Sequence, residues 1–337
     1  MIGCKGQEPN PPSLTDNLNS LNKPDKPAVW LVDWSMTGSV PQAELLANYL
    51  GDIMLFGAYF NPEGHVFIVE NSRLLIDNVK KSAHFSEDQL YLTITNDQFT
   101  ADGKVIQKNP DILYNIWESE EAVTNHIESI ITLISTAGIK HVEIDYEQIP
   151  DELIPEFYSF INQLNDRLNR IESHLRVVLE PSFPVESYPL PEDINFTVMT
   201  YNLHGPHTVN TPGPKTDYQL LESLTKKYKP YEEQVGFALS NGGFLFTADD
   251  VIAINESVID HQLMTSKKPT RDRSSDALST NIIYNNQQGE LWYADQETLL
   301  NWYNFIQSQG DFLPISLWRL GDISKESENF IYTISPK

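Results

Sequence analysis

The sequence predicts an α/β protein folded as a (β/α)8 barrel, the TIM-barrel class, with a small lobe or long loop between strands seven and eight. Three observations predict it. Eight short, continuously apolar runs recur along residues 28–337, the pattern of parallel strands covered on both faces. Stretches of helical periodicity separate most of them. No internal repeat and no glycine-rich phosphate loop interrupts the series, which argues against an open dinucleotide-binding sheet.

The elements follow in chain order. Ala28 to Trp34 (AVWLVDW) is the first predicted strand and Gln42 to Leu50 a helix. Asp52 to Phe60 and Gln89 to Thr95 are the second and third strands. Ser119 to Ala137 is an amphipathic helix, with Val123, Ile127, Ile130, Ile131 and Ile134 on one face and Gly138 as its stop. Gly138 to Glu147 (GIKHVEIDYE) is the fourth strand. A helix from Glu152 to Ile171, strands at Leu175 to Glu180 and Phe196 to Tyr201, and a helix from Tyr218 to Tyr228 come next. Gln234 to Leu239 and Leu313 to Trp318 complete the eight strands. The roughly seventy residues between these last two are too many for a plain βα unit, hence the expected lobe. Within them the basic cluster Ser266 to Ser279 is expected to be a solvated loop.

Composition narrows the partners. The 337 residues are 40% hydrophobic, enough for a sizeable core, and carry a formal net charge of −24. Nucleic acid and anionic membrane surfaces are therefore excluded as partners, because both need clustered Lys and Arg. Neutral ligands such as polysaccharides are permitted. Cys4 is the single cysteine, so no intrachain disulfide forms. Residues 1–4, Met-Ile-Gly-Cys, are similar to the end of a bacterial lipoprotein signal, although no apolar segment precedes them. Residues 1–27 are rich in Asn, Pro, Ser, Asp and Lys and read as a flexible tether before one domain at 28–337. The expectation is a lipid-anchored, extracytoplasmic monomer, the alternative being an incidental cysteine on a disordered tail. From Ala28 onward no run is apolar for long enough to span a bilayer.

Chemistry concentrates in the fourth strand. Alternation points Val142, Ile144 and Tyr146 to one face and Glu143, Asp145 and Glu147 to the other. Three stacked carboxylates oppose burial, since like charges repel and desolvation is costly. Proton transfer gives them a purpose, because one carboxylate raises the pKa of its neighbour. The alternative is the exposed face of an edge strand. Barrel chemistry sits where strands end, and the other predicted strand ends carry Asp33, Trp34, Tyr59, Asn96, Glu180, Tyr201, Asn202, Asn241 and Trp318. Aromatic rings there suit sugar faces; amides and carboxylates suit hydroxyls. His141, His204 and His207 lack a helical HExxH arrangement, so no metal site is expected, and His204 is placed at the cleft rim.

These residues bring a family into view. KHVEIDYE resembles the DxxDxDxE signature of glycoside hydrolase family 18, the chitinase-type barrels, with Asp145 and Glu147 as the last two acids. Glu143 replaces the middle acid and Lys140 the first. VMTYNLHG (Val198 to Gly205) resembles the family's MTYD segment. GELWYADQETLLNWYNFI (Gly289 to Ile306) resembles its late Trp-Tyr-Asp segment, and LPISLWRLGD (Leu313 to Asp322) its last strand. The WRLG ending is most similar to bacterial members acting on peptidoglycan or spore cortex. The resemblance covers roughly Ala28 to Ile331. It implies a retaining hydrolase of β-linked N-acetylglucosamine-containing glycans, without cofactor, working through an oxazolinium intermediate. Glu147 is then the general acid, Asp145 the residue that orients the acetamido group, Tyr201 a donor to its oxygen and Trp318 the floor under the sugar. Glu143 is expected to share a proton with Asp145, supported by Asn202, which stands where many members have Asp; Tyr59, Glu180 and Trp34 are expected to contact substrate. A barrel that kept the cleft and lost turnover, a carbohydrate-binding surface protein, is the alternative, and an interaction scaffold a further one.

Overall fold

The computed structural model describes residues 26–263, 268–310, 313–321 and 323–336. The tether and Cys4 lie outside these, apart from Lys26 and Pro27. Eight parallel strands close into a barrel: β1 (Ala28–Val32), β2 (Ile53–Phe60), β3 (Leu90–Phe99), β4 (His141–Asp145), β5 (Leu175–Leu179), β6 (Asn195–Met199), β7 (Val235–Ser240) and β8 (Ile315–Trp318). Each strand pairs in parallel with the next, and β8 pairs with β1, so no edge is left open. The edge-strand alternative for β4 is thereby overturned.

Nine helices among the described residues complete the chain: α1 (Met36–Leu46), α2 (Glu70–Lys81), α3 (Asp111–Ile116), α4 (Glu120–Ala137), α5 (Ile154–Asn169), α6 (Tyr218–Tyr228), α7 (Glu256–Leu263), α8 (Gln296–Gln307) and α9 (Lys325–Ile334). α4 starts where Ser119 accepts a hydrogen bond from the Ala122 N–H. It stops at Gly138, whose φ of 63° is the left-handed conformation glycine adopts freely. The first helix begins six residues earlier than the sequence predicts, at Met36, and runs through Pro41. Between β5 and β6 no helix forms among the described residues. Pro181, Pro184, Pro189 and Pro191 deny one, and Phe183, Val185 and Leu190 cover the barrel instead.

Strand alternation sorts the core into two layers. Outward residues such as Val142, Ile144, Val177 and Leu239 pack beneath the helices. Inward residues, among them Trp30, Met54, Tyr91, Val178, Met199 and Ala238, fill the barrel. The expected lobe follows β7. Strands Gly242–Phe246, Val251–Ile254, Thr270–Arg271, Leu278–Tyr284 and Gln287–Ala294 form an antiparallel sheet around Leu245, Ile254, Ile259, Ile282, Leu291 and Tyr293. The basic cluster is therefore not simply a loop. Its described part includes two strand segments, and Arg271 pairs with Asp295 at 2.7 Å and Glu297 at 2.9 Å.

Candidate active site

A cleft of about 530 Å³ opens at the C-terminal end of the barrel, walled on one side by the lobe. Asp145, Glu147, Tyr201, Asn202, Trp318, Trp34 and Tyr59 all line it, so seven residues drawn from five strand ends meet in one place. Glu143 lies below its floor, and Glu180 is not among the lining residues.

The alternation of β4 positions the three acids. Tyr146 turns outward, where its hydroxyl lies 2.8 Å from His126 Nε2 and its ring stacks on Phe160. Glu143 and Asp145 turn inward, and Glu147 stands just beyond the strand. Glu143 is 0% exposed. Its Oε1 accepts hydrogen bonds from Trp30 Nε1 and Thr93 Oγ1, both at 2.7 Å, and its Oε2 faces Arg176 Nε at 2.9 Å. Arg176 comes from the adjacent strand in register with Glu143 and also donates to Ser316 Oγ at 2.7 Å. Glu143 thus gains a cation that the sequence did not announce, because β5 brings a guanidinium to that level of the barrel, while burial still holds its pKa above the usual carboxylate value.

Asp145 is buried, and its Oδ1 has no hydrogen-bond partner among the described residues. Burial first, then the charges of Glu147 and Glu143, push its pKa well above the usual carboxylate range. Glu147 is also buried. Burial raises its pKa to about 7, against the opposing pull of Lys108. Lys108 Nζ bonds Glu147 Oε2. Burial disfavours the Lys108 ammonium, yet the attraction of Glu147 more than offsets it, so the lysine pKa also rises. The backbone of Glu147 is clamped by Asn96, whose Oδ1 accepts from the Glu147 N–H and whose Nδ2 donates to its carbonyl, each at 2.9 Å.

Aromatic surfaces complete the cleft. Trp318 packs edge-on against Trp30 and Phe56, with ring centroids 5.7 and 5.3 Å away. Trp34 is 56% exposed at the rim, and Arg319 lies 5.6 Å from its ring centre. Tyr59 contacts Phe56 and Phe99. Tyr201 is buried, and desolvation together with Asp145 keeps its hydroxyl protonated well above the usual range. Lys215 donates to Ser240 Oγ and the Asn241 carbonyl, and burial lowers its pKa to about 7.

Some expected positions take other duties. Glu180 Oε2 accepts the Gln148 N–H at 2.6 Å and braces a left-handed residue, φ 55°, in the turn after β4. Asn96 braces Glu147 rather than lining the cleft. His204 bonds the Thr211 carbonyl and His207 is exposed; neither is among the lining residues. His141 sits buried at the other end of β4, stacked on His174. Lys140 pairs with Asp88 at the surface. Lys108 and Arg176 are the residues that sequence reasoning missed. Arg176 left a signal, a charge inside the otherwise apolar run LRVVL; Lys108 left none.

No protein-family model and no curated protein matches the sequence. Solved structures do match in fold. The spore cortex-lytic enzyme SleL of Bacillus cereus superposes with a TM-score of 0.74 over 92% of this chain and 75% of that one, at 15% identity. A class V chitinase from Pseudomonas fluorescens Pf-5 gives 0.73 over 92% and 99%, at 16% identity. A mutant class V chitinase from Nicotiana tobaccum, solved in complex with NAG4, gives 0.68 over 91% and 98%, at 12% identity. The barrel therefore has a chitinase-type fold, similar to that of glycoside hydrolase family 18 structures.

Proposed function

We propose that the protein is a retaining glycoside hydrolase acting on β-linked N-acetylglucosamine-containing glycans. In this reading Glu147 donates its proton to the glycosidic oxygen as the bond to the anomeric carbon breaks. The substrate's acetamido oxygen attacks that carbon and closes an oxazolinium ring, the substrate-assisted route. Asp145 orients the acetamido N–H and stabilises the positive charge of the ring. Tyr201 donates to the acetamido oxygen, and Trp318 forms the floor. Water then opens the ring and returns a proton to Glu147, with net retention.

The observation that carries the reading is the pair of inward acids. Asp145 has a buried oxygen with no described partner, the kind of orphan an incoming amide N–H would satisfy. Beside it Glu147 holds a proton up to about pH 7, where an acid catalyst is most useful. Such polymers lie outside the cytoplasm, so an extracytoplasmic protein tethered through Cys4 fits the reading.

The test is mass spectrometry of products from chitin oligomers, peptidoglycan and the N-glycan chitobiose core, with NMR of the first-formed anomer. Cleavage of any one with retention supports the proposal. Binding without cleavage of all three would assign the cleft to a lectin instead.

A further inference from the structure

We infer that Lys108 is a positioning residue for the acid at Glu147: it stabilises the carboxylate left behind when the proton is given away. The inference rests on the glycosidase reading above and adds a control on that same site.

Three observations carry it. The first is contact: Lys108 Nζ bonds Glu147 Oε2 inside the cleft. The second is backbone. Lys108 has a φ of 50°, which residues with a side chain seldom adopt, and such outliers cluster at functional sites. It is held there from both sides. Asp97 Oδ1 accepts the Lys108 N–H at 2.7 Å. The next residue, Asn109, donates from its N–H to the Asn96 carbonyl at 3.0 Å and from Nδ2 to Gln98 Oε1 at 2.8 Å. The third is shared support. The Asn96 side chain that clamps the Glu147 backbone belongs to the same stretch of β3 that pins Lys108. Acid and counter-ion are thus fixed to one brace, and their separation does not depend on a wandering loop.

The chemistry follows from charge. The groups around Glu147 are Asp145 from β4, Asp97 from β3, Lys108 from just after the two-residue strand Val105–Ile106 that pairs back on β3 as a hairpin, Glu180 after β5 and Tyr201 after β6. The three carboxylates favour a protonated Glu147, and the ammonium opposes them. When Glu147 protonates the leaving oxygen, the electron pair of the broken O–H bond stays on its carboxylate, beside Nζ. In the second step the carboxylate takes a proton from the attacking water. Lys108 keeps its own proton throughout, so it strengthens the acid in the first step and steadies the base before the second.

The test compares pH profiles of kcat/KM for the wild type, Lys108→Gln and Lys108→Arg. The alkaline limb reports loss of the Glu147 proton. Lys108→Gln moves this limb up by about one to three pH units, with a lower rate at the wild-type optimum; Lys108→Arg restores both. A limb that stays in place while the rate falls at every pH overturns the inference. Carboxyl 13C NMR of Glu147 in the free protein reads the same charge without turnover. Its titration midpoint rises in Lys108→Gln if the inference holds, and an unchanged midpoint overturns it. A wild type that cleaves none of the glycans while the midpoint still shifts would sink the glycosidase reading and keep the ion pair's control of Glu147. If Lys108→Gln fails to fold, Lys108→Met is read by the same titration: a raised midpoint supports the inference and an unchanged one overturns it.

Discussion

Two carboxylate–cation pairs stand at different depths of β4, and they are closed to different degrees. Glu143, in the barrel interior, gives one oxygen to Trp30 and Thr93 and faces the Arg176 guanidinium with the other, and Arg176 is tied in turn to Ser316. Glu147, at the mouth, meets a single ammonium whose side chain remains 32% exposed. The two acids share one face of one segment, yet the deep one is enclosed by protein partners and the upper one opens on the cleft, where it can exchange a proton. The difference teaches that a buried carboxylate becomes chemically useful where its partners are few and solvent or substrate can reach it.

The largest expected effect breaks the upper member. Glu147→Gln should lower kcat by about 10²–10⁴-fold on whichever N-acetylated glycan is cleaved, the usual worth of a general acid; a variant with near wild-type turnover would remove Glu147 from the role. Breaking the deep pair should act on stability instead. Arg176→Met takes the cation away from a fully buried carboxylate, which must then stay unpaired or take up a proton, and should cost about 3–5 kcal/mol in urea unfolding. Lys108→Met should cost less, because Lys108 is itself partly exposed and the buried Glu147 can take up a proton once its cation is gone. Equal costs for the two would erase the contrast.

A pH series sharpens it further. The Glu147 pKa is raised on folding from 4.5 to about 7, so the native state holds this proton more tightly than the unfolded chain does. The carboxyl therefore subtracts stability as pH rises from about 4.5 to 7, by an order-of-magnitude 3 kcal/mol in total. Glu147→Gln should match the wild type most closely below pH 4.5 and gain on it through that window, read as melting temperature against pH. The smallest effect concerns salt. At 1 M the Debye length falls to about 3 Å, which weakens the half-open Lys108 pair and nudges the alkaline limb upward by a few tenths of a unit. The Arg176 variant should lose the same stability at low and high salt.

Much of this arrangement was legible along the chain. Alternation in HVEIDYE placed Glu143, Asp145 and Glu147 on one face because the period of a strand is two, and the structure sends Tyr146 the other way as required. The end of α4 at Gly138 was equally local, a matter of φ. The partners of the acids were not. Lys108 reaches Glu147 across 39 residues, from a loop whose conformation depends on Asp97 and Asn109. Glu180 also stood at a strand end, but the backbone after β4 claimed its carboxylate, and no strand-end rule distinguishes a brace from a binding group.

By itself the sequence determined the element types, the inward face of β4 and the crowding of aromatic and acidic residues at strand ends, because each depends on spacing within a few residues. Only the tertiary structure decided which acid is enclosed by protein partners and which opens on the cleft. That choice depends on strand register, which sets Arg176 against Glu143, and on a hairpin of β3 that delivers Lys108 to Glu147. Charge interactions act through space and desolvation, and neither is written in the local order of the chain.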